Sequence, residues 1–152
     1  MVEKFQAFQQ TDTWDIVPRP ANVQPVSCKW IFKVKHRPDG SIERHKSRVV
    51  AREFTQEHEI DYDENFAPIA QMTTVRTLLT VAAVQYWPLY QMDMKNAFLH
   101  GSLTEDVNMQ PLSGLTTPLG HACHLHRAIY GLKQAPRTWF EYFWQTLTSF
   151  GF

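Results

Sequence analysis

Cysteine is scarce in this chain, with only Cys28 and Cys123, and the first residues lack a signal-like apolar run; together these argue for reduced thiols rather than a disulfide-stapled secreted module. Long hydrophobic runs are also missing. Residues 75–84 form a short apolar stretch with polar flanks, well below the roughly 20 residues that span a bilayer, so no membrane association is expected. Neither sign of charge is in excess: 15 Lys and Arg stand against 15 Asp and Glu, which excludes a global field drawing the whole molecule onto a polyanion. Any polyanion site has to be local. P-loop and Rossmann glycine patterns are absent, as is a Ser–His–acid arrangement, which argues against the nucleotide-binding and hydrolytic chemistries built on them.

The chain has 152 residues, 43% of them apolar, enough for one domain with a real core but not for a multidomain enzyme. Ten Phe, five Trp and five Tyr make a heavy aromatic load that risks exposed apolar surface. Residues 1–10 contain no breaker and suit a short helix closed by Thr11, Asp12 and Thr13. Pro18, Pro20 and Pro25 mark the next stretch as a connector, because each fixes φ and removes a backbone donor. Residues 28–35 alternate, with Trp30, Phe32 and Val34 opposite Lys29, Ile31, Lys33 and Lys35. Pro38, Asp39 and Gly40 supply a turn, and residues 42–50 alternate again with Arg44, Lys46 and Arg48 on one side, which makes a β-hairpin. Residues 53–66 are acidic and read as a loop. Thr73 or Thr74 caps a helix on which Val75, Leu78, Leu79, Ala82 and Ala83 share a face. Pro88 ends it, residues 89–94 read as a strand, and a tight bend or short helical turn comes next. Residues 104–121 are rich in turn residues. Pro136 opens a last helix carrying Trp139, Phe140, Phe143, Trp144, Leu147 and Phe150, with Gly151 as its C-terminal cap.

Four places could hold chemistry. Residues 29–52 gather eight of the 15 cations against Asp39 and Glu43 alone, the footprint of a phosphate-contacting surface; a solvated charged face is the alternative. Asp93, at the end of the expected strand, could hold Mg²⁺ together with substrate phosphates, or simply cap the turn after it. His121, Cys123, His124 and His126 are zinc-ligand types, but strand alternation points His124 and His126 away from Cys123, so a strand with a buried Cys is preferred. Residues 130–140 form a loop-to-helix junction in which Gly131 permits close backbone approach and Lys133 and Arg137 offer charge.

In order along the chain, KWIFKVKHRPDGSIERHKSRVVAREFTQ, IDYDENFAPIA, TTVRTLLTVAA, YQMDMKNAFLHGSL and AIYGLKQAPRTWF resemble the reverse transcriptase of copia-type LTR retrotransposon Pol polyproteins, and QMDMKNAFLHG with YGLKQAPRTWF is the most specific pair. The resemblance covers residues 14–152, with 1–13 as an N-terminal flank. It implies an α+β right-hand polymerase, with fingers over about 14–88 and an incomplete palm with its loop and helix over about 89–152. It further implies that Asp93 is a catalytic, metal-binding carboxylate for Mg²⁺ or Mn²⁺, and that Lys35 and Arg48 hold the incoming triphosphate. Phe98 would exclude a ribose 2′-hydroxyl, while Tyr130, Gly131 and Gln134 would pack against the nascent base pair and template. The implied partners are an RNA or DNA template-primer, deoxynucleotides, and the remaining Pol segments: rest of the palm, thumb and ribonuclease H.

Departures qualify that picture. The family continues to a Tyr-x-Asp-Asp turn bearing the second catalytic carboxylate, and this sequence has no Asp-Asp pair, so a fragment inactive by itself is expected. A non-catalytic nucleic-acid-binding remnant using residues 29–52 is the alternative. Glu53 stands at a usual Gly, Asn108 at a usual Tyr, and 109–121 look shortened. A Glu forced into a positive φ would cost stability. With part of the palm sheet missing, marginal stability and aggregation are expected.

Overall fold

The computed structural model describes residues 2–57, 61–62 and 66–151. Its elements run α1 (Val2–Gln10), β1 (Trp14–Pro18), β2 (Cys28–His36), β3 (Ile42–Ala51), α2 (Met72–Val84), β4 (Ser102–Met109), β5 (His121–Arg127) and α3 (Ala135–Ser149), with 3-10 turns at Glu53–Thr55 and Ala97–His100. The result is a small mixed α/β domain. An antiparallel sheet of order β1-β5-β4 lies beside the β2-β3 hairpin. Two parallel bridges join sheet and hairpin to the rest: Val26 with Met109, and Val50 with Tyr130.

The hairpin forms where alternation placed it. The Asp39 carboxylate accepts bonds from the Ser41 backbone N–H and hydroxyl, and Gly40 takes φ +83° to close the turn. Pairing of Lys35 with Arg44, Lys33 with Lys46 and Ile31 with Arg48 puts the cations of both strands on one face, since directly paired residues of an antiparallel ladder share a side. The other face carries Trp30, whose indole N–H donates to the Ser113 carbonyl and whose ring packs on Phe5 of α1. Further out on that face Phe32 and Val34 remain exposed.

Three segments differ from the sequence-based expectation. Residues 14–18, expected to be part of a connector, form β1, paired with β5 from Trp14–Leu125 to Pro18–His121. Proline is tolerated there because β1 is an edge strand and Pro18 its last residue. Within 104–121, Ser102–Met109 is a strand whose pairing with β5 is interrupted between Ser102 and Val107. Residues 89–94 form no strand: they have no ladder partner among the described residues, Tyr90 is almost wholly exposed and Met92 largely so.

The core lies between the sheet, the inner end of the hairpin and the start of α3, around Val26, Val107, Met109, Leu125 and Ile129, with Phe8 of α1 inserted beside them. Cys123 is fully buried in β5, while His124 and His126 point outward to Asp106 and Asp15 at 3.1 and 3.0 Å. Helix α2 keeps its expected face but buries only Ala82; Val75, Leu78 and Leu79 are exposed, and Gln71 rather than a threonine occupies its N-cap. No described helix is long and apolar enough to cross a membrane.

Candidate functional site

The inner end of β3 meets the loop entering α3. Ala51 N–H donates to the Tyr130 carbonyl at 2.7 Å, and the chain reverses at Gly131 with φ +85°. A Cβ at Gly131 would sit 2.2 Å from the Ala51 carbonyl oxygen, so both its conformation and its space require glycine. This junction brings Tyr130 under Arg48, whose guanidinium carbon lies 5.3 Å from the ring centroid. Phe98 meets Tyr130 edge-on at 4.8 Å. The 3-10 turn holding Phe98 is launched from Asn96 in a left-handed conformation and anchored by buried Leu99. Arg48, Phe98 and Tyr130 therefore line one cleft, together with Lys4 and Phe8 of α1, Val49, Asn96, Leu99 and Ile129.

The cleft is electropositive. Arg48 beside Lys46 depresses the Lys46 ammonium below its ordinary range, with burial, Arg44 and Lys35 adding to the effect and Asp93 opposing it. That influence puts Asp93 within electrostatic reach of the basic face, although its carboxylate is exposed in a segment without regular structure. Lys35 lies at the far end of the hairpin, opposite Arg44.

Residues 11–152 match the reverse transcriptase (RNA-dependent DNA polymerase) family. The chain belongs to this family. The reverse transcriptase domain is similar to the retrovirus-related Pol polyprotein from transposon RE1 of Arabidopsis thaliana, at 43% identity over 92% of this chain and 10% of the relative. It is 39% identical to that from transposon TNT 1-94 of Nicotiana tabacum, over 94% of this chain and 11% of the relative. The Ty1-H Gag-Pol polyprotein of Saccharomyces cerevisiae is 28% identical over 93% of this chain and 7% of its own length. The chain thus spans about a tenth of these two plant Pol polyproteins, and the copia-type resemblance is borne out. No solved structure matches it.

A reverse transcriptase domain implies a divalent metal in the intact enzyme. Among the described residues, no three His, Cys, Asp or Glu converge on a point that could hold an ion. One exposed carboxylate, Asp93, does not make a metal centre without further acids or phosphate oxygens. The described donor set does not fit a formed centre.

Gln134 of the reverse transcriptase domain is fully buried. Its amide N–H donates to the Asp61 carbonyl and its carbonyl accepts from the Gln56 amide, both at 3.0 Å, while the Gln56 carbonyl accepts from the Lys133 backbone N–H. Lys133 extends to the Tyr62 hydroxyl at 2.8 Å, and Arg137 pairs with Glu105 and Glu141. Gln56 and Asp61 thus clamp the acidic loop onto the junction. Neither stood out in the sequence, because a lone Gln or an Asp in an acidic run has no periodic signature.

Burial raises the Asp61 carboxyl above its ordinary range, against a bond from the Glu57 backbone N–H that lowers it. A raised folded value means that the stability this group contributes is present below about pH 4, the unfolded carboxylate range, and is lost as pH rises through the folded value. Urea midpoints of the parent and Asp61→Asn should therefore diverge with rising pH in favour of the variant; a pH-independent gap would refute the assignment.

The departures look different in three dimensions. Glu53 opens a 3-10 turn and is not among the described non-glycine residues with positive φ, which are Asp12, Tyr86 and Asn96, so the expected strain is not incurred. Asn108 is buried, its amide donating to Asp106 while its carbonyl oxygen finds no partner among the described residues, a cost of about 1–3 kcal/mol.

Proposed function

We propose that this chain forms the nucleotide-facing portion of an RNA-directed DNA polymerase, with fingers over about 14–88 and the first part of the palm over about 89–152. The observation that carries this reading is the meeting of Arg48, Phe98 and Tyr130, from three segments far apart in sequence, in one electropositive cleft. On this reading Arg48, with Lys35 further out, engages the triphosphate by charge-assisted hydrogen bonds. Phe98 limits the room beside the sugar, selecting deoxynucleotides by bulk. Tyr130 and Gly131 form the platform under the base pair, and Gln134 acts through position, since its amide is engaged within the protein. Asp93 supplies one carboxylate toward Mg²⁺ or Mn²⁺, with template-primer and deoxynucleotides as substrates. The other ligands come from the remaining palm, and the thumb and ribonuclease H segments of Pol are further partners.

Primer extension on an RNA template tests this. Fused to the Tyr-x-Asp-Asp segment and thumb of a relative, the chain should extend the primer, and Asp93→Asn should lower the rate at least about a hundredfold. The 152 residues by themselves, without an Asp-Asp pair, should give no product. Extension by those 152 residues, or unchanged activity in Asp93→Asn, would overturn the assignment. The one-sided basic face of the hairpin favours a second reading, nucleic-acid binding without chemistry. Salt-dependent RNA binding lost on replacing Arg44, Lys46 and Arg48, with no extension by the fused chain, would select it.

A further inference from the structure

We propose that Lys4 of α1 completes a three-cation polyphosphate-binding cleft with Lys46 and Arg48, so that the phosphates of a nucleoside triphosphate bridge α1 and the hairpin. The inference rests on the nucleotide-binding reading of Arg48 and adds a residue to it. The family match begins at residue 11, so no role for Lys4 comes from that match.

Lys4 and Phe8, one turn apart on α1, line the same cleft as Arg48, Phe98 and Tyr130. Phe8 is buried there and also packs on Trp14 at 4.7 Å between ring centroids, which fixes the helix against β1. The Lys4 ammonium donates to the Asn96 side-chain carbonyl, tying α1 to the turn that presents Phe98. Lys4, Lys46 and Arg48 make no ion pair with a carboxylate among the described residues, although Asp93 offsets Lys46 in part. Burial, followed by the neighbouring Arg48 and Lys46 charges, holds the Lys4 amine below its usual range. Like charges held together around an aromatic floor repel one another, and a ligand bearing several negative charges relieves all three at once. The enclosed space is about 10 Å³, room for a single water, so the phosphates sit across the mouth of the cleft, between Lys4 and Arg48 of its lining and with Lys46 within electrostatic reach of both. A neutral reading of Lys4, as only a tether to Asn96, predicts different variants.

Calorimetric titration of the whole 152-residue chain with inorganic tripolyphosphate, at several salt concentrations, tests this. The parent should bind, and Arg48→Ala should weaken binding. Lys4→Gln keeps an amide donor for Asn96 and removes the charge; it should weaken binding about tenfold and reduce the salt slope by about one. Lys4→Arg should restore affinity. Lys4→Met, which removes the charge and the tether together, should weaken binding no further than Lys4→Gln. If Arg48→Ala weakens binding while Lys4→Gln does not, the role of Lys4 is wrong and the Arg48 reading stands. A loss in Lys4→Met with affinity kept in Lys4→Gln would make Lys4 a tether only. Absence of tripolyphosphate binding by the parent would overturn both readings.

Discussion

Gly131→Ala should destabilise the domain by about 3 kcal/mol or more, enough to leave little folded protein in a marginal domain. The added methyl meets two obstacles. At φ +85° any L-residue other than glycine is strained. The built Cβ also falls 2.2 Å from the Ala51 carbonyl oxygen and 2.7 Å from a Val50 methyl. The oxygen belongs to backbone at the inner end of β3, held by the hairpin ladder and by the Ala51 bond to Tyr130, so it cannot swing aside as a flexible side chain would. Relief therefore means parting the loop from β3, which would also carry Tyr130 away from Arg48. Thermal melts of parent and variant check this: the transition should fall by roughly 6–12 °C or disappear. A drop below about 2 °C would show that the junction is looser than its geometry implies.

The hairpin, α2 and the start of α3 were legible because their signals are local: alternation over eight or nine residues, a repeat on one helix face, and a proline in a first turn. β1 was not, because Pro18 and Pro20 read as breakers and its partner β5 lies about a hundred residues further along. The opposite error at 89–94 has the same cause. An apolar alternating segment suits a strand, but a strand exists only with a neighbour to accept its hydrogen bonds, and the described residues provide none there. The family resemblance could nominate Arg48, Phe98 and Tyr130 singly; only the fold brings them to one cleft. Lys4 carries no motif, Gln56 closes a family-like stretch that marks no role for it, and the place of both emerges from how α1 and the acidic loop pack.

Gln134→Leu should cost about 3 kcal/mol although it is close in volume and adds apolar area. Three short bonds explain why. Gln134 accepts from Gln56 and donates to the Asp61 carbonyl, and Gln56 in turn accepts from the Lys133 N–H. Leucine strands the Gln56 amide N–H and the Asp61 carbonyl in a region where Gln56 is 6% and Asp61 3% exposed, and each orphaned group costs about 1–3 kcal/mol. Gln134→Glu should be no rescue, since its buried carboxylate would face the Asp61 carbonyl, acceptor against acceptor. Gln56→Leu with Gln134→Leu together should cost less than the sum of the two single changes, because the bond between them is counted once in each. Urea unfolding of the three variants measures this coupling. Strict additivity would mean that the two glutamines act separately, and then the clamp would not be what holds the acidic loop against the Tyr130–Gly131 junction.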